Sequence, residues 1–493
     1  MTDNAAAWLV DRQVEAGNGR RVAVVCRGEE WTYDDLLVRV WRAQRALREL
    51  GVRRTERIAL LVDDEPLFFA WFLGALRSGI VPVPMSTMGT LADVAAVVDD
   101  SVAEVVVVSP RHADKVTGTR ATVVGWGPFE DGGEEPVAPT SADSPAFWLY
   151  SSGTTGRPKG VMHRHGAMAV TAATYARTVL GITGEDRCLS VAKLFFAYGL
   201  GNSLTFPLSV GATTILCPDP PTPGGMAALM QEHGPTLFGA SPGFLAATLD
   251  AGVPVDAFAT VRLVTSAGEA LPADLHRRFT DHYGVPVLDG IGTTEALHIF
   301  LSNTVGAEEP GTSGTAVEGY ELQLRDEHDR VVDGSGVPGF LHVKGASLAT
   351  GYWSRVAESQ AAFRGEWLRT GDVYVRTEHG RWSFLGRNND MIKAGGIWVS
   401  PAEVESVLVE HPDVLEAAVV GATDDRGLEL VVAYLVPRTG RSVDAASVEA
   451  HCRARMAAFK RPRRLVVVDA LPKTATGKVR RFALRDALAA GSG

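Results

Sequence analysis

The most informative loop of the chain reads Tyr150-Ser-Ser-Gly-Thr-Thr-Gly-Arg-Pro-Lys-Gly160 and directly follows the apolar run Phe147-Trp148-Leu149. Glycines allow backbone N–H groups to approach an anion closely, and the hydroxyl groups and Lys159 supply further hydrogen-bond donors. The spacing differs from a Walker loop, because Lys159 is followed by glycine and not by serine or threonine. An ordinary Gly/Ser surface turn is the alternative, but the density of donors favours a phosphate-binding loop.

Short β-branched runs alternate with helical stretches between about residue 20 and residue 300. The runs predict strands over 58–62, 105–108, 213–216, 261–265 and 285–288, and helices over 66–77, 223–232 and 272–283. Such alternation is typical of a mainly parallel, doubly wound sheet. The predicted fold class is therefore α/β, with a large N-terminal domain of doubly wound mixed sheets.

The pattern changes in the last third of the chain. Glycine-rich turns and short alternating strands, such as 340–343, predict a more antiparallel, β-barrel-like region from 312 to 384. After the stretch 386–393 comes a compact α+β unit of about a hundred residues. Its first helix is predicted to start at Ser400, with Pro401 in the first turn, followed by strands over 416–420 and 428–436 and a helix over 444–456. We therefore predict two domains, residues 1–389 and 390–493.

Composition narrows the class of protein. The 493 residues are 46% hydrophobic and 22% charged, and the formal net charge is −10. A negative charge argues against nucleic acid as the main partner. No run of about 18 apolar residues predicts a membrane span, and the N-terminus lacks a signal-peptide pattern. Four scattered cysteines without a CxxC pair fit reduced thiols, so a cytoplasmic protein without a membrane partner is predicted.

Several motifs follow one another along nearly the whole chain, and together they resemble the adenylate-forming superfamily of acyl- and aryl-CoA ligases, luciferases and adenylation domains of peptide synthetases. The resemblance implies ATP and Mg²⁺ as cofactors and coenzyme A as co-substrate. It also implies a mobile C-terminal domain with one orientation for each half-reaction. The phosphate loop would bind ATP through Ser151, Ser152, Gly153, Thr154, Thr155, Gly156 and Lys159.

Three further segments resemble the family's nucleotide site: Ser266-Ala-Gly-Glu-Ala270, Asp289-Gly-Ile-Gly-Thr-Thr-Glu295 and Leu368-Arg-Thr-Gly-Asp372. The resemblance implies that Asp372 binds the ribose with help from Arg387, and that Thr294 and Glu295 act in catalysis, with Glu295 on Mg²⁺. The adenine would be bordered by Ala267, Gly268, Glu269, Asp289, Gly290 and Ile291. From the residues alone, Glu295 could equally be a solvated loop glutamate, and Thr-Gly-Asp is a common turn.

The stretch Lys193-Leu-Phe-Phe-Ala-Tyr-Gly-Leu-Gly-Asn-Ser203 resembles the benzoate-CoA ligase branch of the family. That resemblance implies an apolar slot for an aromatic ring, bordered by Ala197, Tyr198, Gly292, His298 and Ile299. The alternative is that the aromatic residues of this stretch are ordinary core residues at the start of a helix.

The C-terminal unit carries two more motifs of the family. Lys478, in Pro472-Lys-Thr-Ala-Thr-Gly-Lys478, matches the catalytic lysine, whose charge would stabilise the reacting oxygens. Asn389 and Asp390 lie at the family's hinge. Members usually carry two acidic residues there, so Asn389 is a departure that leaves the pivot open between the two positions. Asp390 also fits a simple turn former.

These features predict an acid–thiol ligase: an aryl-CoA ligase that activates benzoate or a small substituted benzoate as an aryl-adenylate and transfers it to coenzyme A. The partner is then a small aromatic carboxylic acid, and the protein is a monomer or a homodimer. Two alternatives stay open: an aryl adenylation enzyme that loads the phosphopantetheine of a carrier protein, and a catalytically silent nucleotide-binding regulator. A serine hydrolase is disfavoured, because Pro242 after Ser241 has no N–H for an oxyanion.

Overall fold

The computed structural model describes residues 3–125, 127, 133–152, 158–388, 390–394, 397–423, 429–473 and 479–490. Within these ranges the α-helices are α1 (Tyr33–Glu49), α2 (Pro66–Arg77), α3 (Leu91–Ser101), α4 (His165–Thr171), α5 (Ala197–Leu200), α6 (Phe206–Val210), α7 (Pro223–His233), α8 (Pro242–Asp250), α9 (Ala273–Tyr283), α10 (Val356–Ala362), α11 (Pro401–Val409), α12 (Ala445–Arg455) and α13 (Arg481–Ala490).

The strands of the same ranges are β1 (Val22–Cys26), β2 (Glu29–Thr32), β3 (Arg57–Leu61), β4 (Val81–Pro84), β5 (Val105–Val108), β6 (Thr122–Gly125), β7 (Pro145–Ser152), β8 (Pro158–Arg164), β9 (Arg187–Ser190), β10 (Thr213–Ile215), β11 (Leu237–Ala240), β12 (Leu263–Ser266), β13 (Val287–Gly292), β14 (Ile299–Ser302), β15 (Thr315–Ala316), β16 (Tyr320–Arg325), β17 (Gly339–Gly345), β18 (Phe363–Arg364), β19 (Trp367–Arg376), β20 (Trp382–Arg387), β21 (Ile392–Ala394), β22 (Ile397–Val399), β23 (Val414–Thr423), β24 (Glu429–Pro437) and β25 (Arg464–Val467).

The largest sheet has nine strands in the order β15-β14-β13-β12-β11-β9-β10-β1-β2. Its central strands, from β13 to β1, pair in parallel, whereas β2, β14 and β15 pair antiparallel at the edges. Leu263 and Leu288 join one hydrophobic cluster, and the neighbouring Val264 and Val287 join another. The sheet is therefore buried on both faces, as a sheet of parallel strands with crossover helices requires.

A second sheet has four parallel strands in the order β4-β3-β5-β6. Ile58 and Leu60 face a cluster shared with α1 and α2, whereas Ala59 and Leu61 face a cluster shared with α3. The predicted doubly wound α/β fold is confirmed in both sheets. The predicted helix over 66–77 is α2 with the same bounds, because Pro66 suits the first turn and the next residues are almost all apolar.

The predicted phosphate loop joins strands β7 and β8, here called the phosphate hairpin, which pair with neither large sheet. Strands β7 and β8 are antiparallel, and their register places Ser151 opposite Lys159 and Tyr150 opposite Gly160. A Cβ at Gly160 would lie 3.1 Å from the Tyr150 ring. Glycine at this position therefore lets the tyrosine ring cross the hairpin and donate its hydroxyl to Asp100, at 2.8 Å.

The region after residue 312 is antiparallel, as predicted. Strands β16, β17, β19 and β18 form a sheet in that order, and β20 adds to β19. Gly334, in a GxGxxG stretch, has a φ of +110° and precedes β17 in a turn. The stretch therefore lies in a strand-to-strand turn and does not open a helix, as a dinucleotide motif would.

The C-terminal unit is a small α+β sandwich. Its sheet has the order β23-β24-β25, and alternate residues of β24 face two clusters: Val431 faces α11 and α12, and Val432 faces α13. The predicted cap of α11 is confirmed, because the Ser400 side chain accepts from the Glu403 N–H at 3.1 Å. The domain boundary at residue 389 stays a prediction.

Candidate active site

The predicted ribose residues lie on two adjacent strands. Asp372 of β19 pairs with Arg387 of β20 in the sheet register, and its Oδ1 lies 3.0 Å from Arg387 Nε. The Asp372 side chain is 2% exposed, and its Oδ2 has no hydrogen-bond partner among the described residues. A buried carboxylate oxygen without a donor is costly unless a ligand supplies one. The pair therefore fits a vicinal diol.

The predicted metal carboxylate lies just beyond β13. Glu295 sits in a short 3₁₀ turn, Thr294–Ala296, which the Thr293 side chain caps by accepting from the Ala296 N–H. Glu295 Oε1 accepts a hydrogen bond from the Tyr352 hydroxyl at 2.9 Å. The carboxylate has further acceptor sites, so it could hold a Mg²⁺ ion, which prefers oxygen ligands.

Electrostatics connect these carboxylates. The pKa of Arg387 is raised, chiefly by the Asp372 carboxylate, with smaller contributions from Glu295 and Asp390. The Arg387 guanidinium is therefore within electrostatic range of Asp372, Glu295 and Asp390, which are the predicted ribose, metal and hinge residues. Carboxylates from three separate motifs therefore act electrostatically on one guanidinium group.

Lys159 of the phosphate hairpin faces the same turn. Its ammonium group forms an ion pair with Glu358 of α10 and lies 5.2 Å from the centroid of the Tyr352 ring. Tyr352 thus contacts Lys159 through its ring and Glu295 through its hydroxyl. Neither Tyr352 nor Glu358 was identified from the sequence. No local signal marks them, since both lie about 200 residues from the phosphate loop.

The two predicted adenine segments are neighbours, since β12 and β13 pair in parallel with Ser266 opposite Asp289. Gly268 has a φ of +100°, and no heavy atom of the described residues lies within 4 Å of a Cβ placed there, so a flat ring can approach it. Asp289 is buried, and burial raises its carboxyl pKa well above the usual value. The backbone N–H groups of Leu271 and Gly290 oppose this rise in the pKa, and Asp289 Oδ1 has no hydrogen-bond partner among the described residues. Ala267 and Gly290 are buried, whereas Glu269 and Ile291 are half-buried.

The predicted acid-binding residues are brought together around His298. Its ring lies 5.5 Å from Tyr198, 5.2 Å from Tyr175 and 4.5 Å from Phe206, and burial lowers its pKa to about 3. The imidazole is therefore neutral near pH 7. A Cβ at Gly201 would lie 2.3 Å from the His298 ring, so this glycine makes room for the histidine.

Two more contacts place Tyr198 and His298 relative to the predicted nucleotide segments. The Tyr198 hydroxyl lies 2.7 Å from Thr265 Oγ1 on β12, two residues before Ala267. A Cβ at Gly292 would lie 2.4 Å from the His298 carbonyl oxygen, so glycine lets the β13 end pass close to the histidine. Ala197 and Ile299 are buried beside these residues.

Asp390 is paired with the last helix. Its Oδ1 accepts from Arg485 at 2.7 Å, its Oδ2 lies 3.9 Å from Arg481, and its backbone N–H donates to the Arg387 carbonyl at 2.9 Å. Asp390 therefore forms a turn and also an ion pair. Several predicted residues lie outside the described ranges, namely Gly153, Thr154, Thr155, Gly156, Asn389 and Lys478, and the side chain of Ser152 is not described.

Two models of known protein families match the chain. A family model described as AMP-binding enzyme matches residues 10–353, and one described as AMP-binding enzyme C-terminal domain matches residues 403–478. The chain belongs to the AMP-binding enzyme family. The family predicted from the motifs is therefore confirmed.

Relatives within the AMP-binding enzymes are similar over nearly the full length. A benzoate–CoA ligase of Thauera aromatica is 44% identical over 98% of this chain and 96% of its own. A solved benzoate CoA ligase from Burkholderia xenovorans LB400 has 43% identity and a TM-score of 0.92, covering 98% of this chain and 99% of its own. The anthranilate CoA ligase AuaEII, solved with anthranoyl-AMP, has 34% identity and a TM-score of 0.94, covering 99% and 98%. The predicted resemblance to benzoate-CoA ligases is confirmed.

In the part of the chain that the structure describes, no three His, Cys, Asp or Glu side chains converge as a metal site. No described helix is long and apolar enough to cross a membrane. Ser241, in the hydrolase-like GxSxG stretch, is the N-cap of α8, where its hydroxyl accepts from the Phe244 N–H. It therefore has a structural task at the start of this helix.

Proposed function

We propose that the chain is an ATP-dependent aryl-CoA ligase that activates benzoate or a small substituted benzoate. The full-length similarity to a benzoate–CoA ligase carries the proposal. The neutral His298 ring, packed against Tyr198 and Phe206, supports an aromatic substrate, because such surroundings suit a flat apolar ring and not a charged chain.

In the first half-reaction, the substrate carboxylate attacks the α-phosphorus of ATP and pyrophosphate leaves, which forms the aryl-adenylate. Asp372 and Arg387 would hold the ribose, and Lys159 would neutralise charge on the phosphate oxygens. Glu295 would hold Mg²⁺, which supplies further neutralisation of the phosphates when bound. Because pyrophosphate is a good leaving group, the protein mainly has to position the reactants and stabilise charge.

In the second half-reaction, the thiol of coenzyme A attacks the acyl carbon, the thioester forms and AMP leaves. We propose residues 390–493 as the mobile domain, with Lys478 reaching the phosphate during adenylation and Asn389 or Asp390 as the pivot. A cytoplasmic location, a monomeric or homodimeric state and the absence of membrane and nucleic-acid partners stay predictions.

The acid specificity is tested with a panel of carboxylic acids in a pyrophosphate-release assay. We expect benzoate and small substituted benzoates to have the highest kcat/KM. A preference for medium-chain fatty acids would contradict the aryl assignment. Free coenzyme A and a phosphopantetheinylated carrier protein, compared as acceptors of the purified aryl-adenylate, distinguish a CoA ligase from a carrier-loading enzyme.

The role of Lys478 is tested by separating the half-reactions. We expect Lys478→Ala to lower the rate of adenylate formation by 100-fold or more, on the order of one lost charge-stabilising donor. Thioester formation from supplied benzoyl-AMP should change by less than about threefold, because the α-phosphate is not attacked in that step. Equal losses in both half-reactions would show that Lys478 has another role.

A further inference from the structure

An array of four side chains links the phosphate hairpin to the Glu295 turn. Lys159 pairs with Glu358, the Lys159 ammonium lies 5.2 Å from the Tyr352 ring, and the Tyr352 hydroxyl donates to Glu295. The Lys159 side chain is only 16% exposed and that of Glu358 is 36% exposed. The lysine charge is therefore partly withdrawn from water and its main partner is a carboxylate.

Backbone hydrogen bonds hold this array together. The Trp353 N–H donates to the Gly160 carbonyl at 2.8 Å, and the Met162 N–H donates to the Gly351 carbonyl at 3.0 Å. The Ala349 N–H donates to the Glu295 carbonyl at 2.8 Å. The segment 349–353 is thus bonded to strand β8 on one side and to the Glu295 turn on the other. Only side-chain rotation is needed to change the partners of Lys159.

We propose that Glu358 sets the affinity of the site for nucleoside triphosphate, because it pairs with Lys159 whenever no polyphosphate is bound. The inference rests on the proposed function in one respect: Lys159 must contact phosphate. A polyphosphate and the Glu358 carboxylate then compete for one ammonium group. Binding of the triphosphate therefore includes the free-energy cost of separating Lys159 from Glu358, which weakens the observed affinity.

Glu358 has a second partner within reach. Its Oε1 lies 4.0 Å from Arg355 Nε on the preceding turn, and Arg355 is itself bonded to Asp100 at 2.8 Å. When Lys159 turns to phosphate, a small rotation brings the carboxylate onto Arg355. Glu358 therefore keeps a cationic partner when Lys159 moves to phosphate, so no carboxylate is left unpaired. This arrangement suits reversible pairing more than a permanent structural ion pair.

The experiment is calorimetric titration of the full chain with MgATP, in the absence of acid and coenzyme A. We expect Glu358→Gln to lower the Kd about three- to tenfold, the range of a partly shielded ion pair. Glu366→Gln is the matched control, because Glu366 is 75% exposed and pairs with Lys344 at 3.1 Å. Its Kd should stay within twofold of the wild type.

A double-variant comparison separates a specific exchange from a general change of charge. In a Lys159→Ala background, Glu358→Gln should no longer change the Kd. The same gain in that background, or an unchanged or higher Kd in the single variant, would overturn the inference, provided thermal unfolding shows both variants folded. Failure of the wild type to bind MgATP would overturn the proposed function and this inference together. Binding without benzoate activation would leave only the acid assignment wrong.

Discussion

Replacement of Asp372 by asparagine tests the nucleotide site most directly. The Asp372 carboxylate is buried, one of its oxygens pairs with Arg387 at 3.0 Å, and the other has no donor among the described residues. If the free oxygen accepts a ribose hydroxyl, Asp372→Asn exchanges a charged acceptor for a neutral amide of nearly the same shape. The variant changes hydrogen bonding without opening a cavity.

The size of the effect follows from this geometry. A hydrogen bond to a charged group contributes about 1.5–3 kcal/mol, which corresponds to a loss of about 10- to 100-fold in affinity for ATP. The folded state should lose little, about 1 kcal/mol or less, because the Arg387 side chain is 47% exposed and water can solvate it.

The assay is titration with MgATP and with its 2′,3′-dideoxy analogue. Wild type and Asp372→Asn should differ by at least tenfold for ATP but by less than about threefold for the analogue, which cannot donate to the carboxylate. Asp333→Asn, at an exposed position of the same region, should bind both nucleotides like the wild type. Equal losses for both nucleotides would refute ribose binding by Asp372.

Two further substitutions test the acid site and a buried charge. Gly201→Ala places a Cβ 2.3 Å from the His298 ring. The KM for benzoate should therefore rise about tenfold and the free energy of unfolding should fall by about 1–3 kcal/mol, whereas the KM for ATP should change little. The control Gly224→Ala, whose Cβ has no described heavy atom within 4 Å, should leave the KM for benzoate and the stability nearly unchanged. Burial raises the pKa of Asp64 to about 7, so the folded state favours its protonated form, and the resulting stability is present below about pH 4 and is lost as pH rises through 7. In urea unfolding, the stability of Asp64→Asn relative to wild type should increase by up to about 1.4 kcal/mol per pH unit between pH 4 and 7 and then level off. A difference that is constant with pH would contradict this.

Most secondary-structure elements could be predicted from the sequence, but the residues at which some strands begin and end were predicted wrongly, for local reasons. The strand predicted over 261–265 starts instead at Leu263, because the Val261 N–H completes a turn with the Phe258 carbonyl. Strand β13 likewise starts later than predicted and continues to Gly292. Patterns of apolar residues indicate which segments are buried, but the first ladder hydrogen bond depends on the neighbouring strand.

The predicted site residues were found from their motifs, but their side-chain partners were not. Asp372 and Arg387 lie 15 residues apart in sequence and meet because β19 and β20 form adjacent strands. Glu358 and Tyr352 meet Lys159 only because the segment 349–353 bonds to β8. The distance between such side chains depends on which strands pair and in which register. No local pattern in the sequence indicates that register.

The amino-acid order alone was sufficient for the α/β class, the family and the residues proposed to contact nucleotide and aromatic acid, because glycine-rich loops, alternating apolar runs and catalytic side chains are local properties. Three-dimensional packing decided the rest: a neutral His298 enclosed by aromatic rings, an Asp372 oxygen buried without a donor from any described residue, and a lysine held by Glu358. These states depend on burial and on distances of a few ångströms between distant segments, which exist only once the sheets have formed.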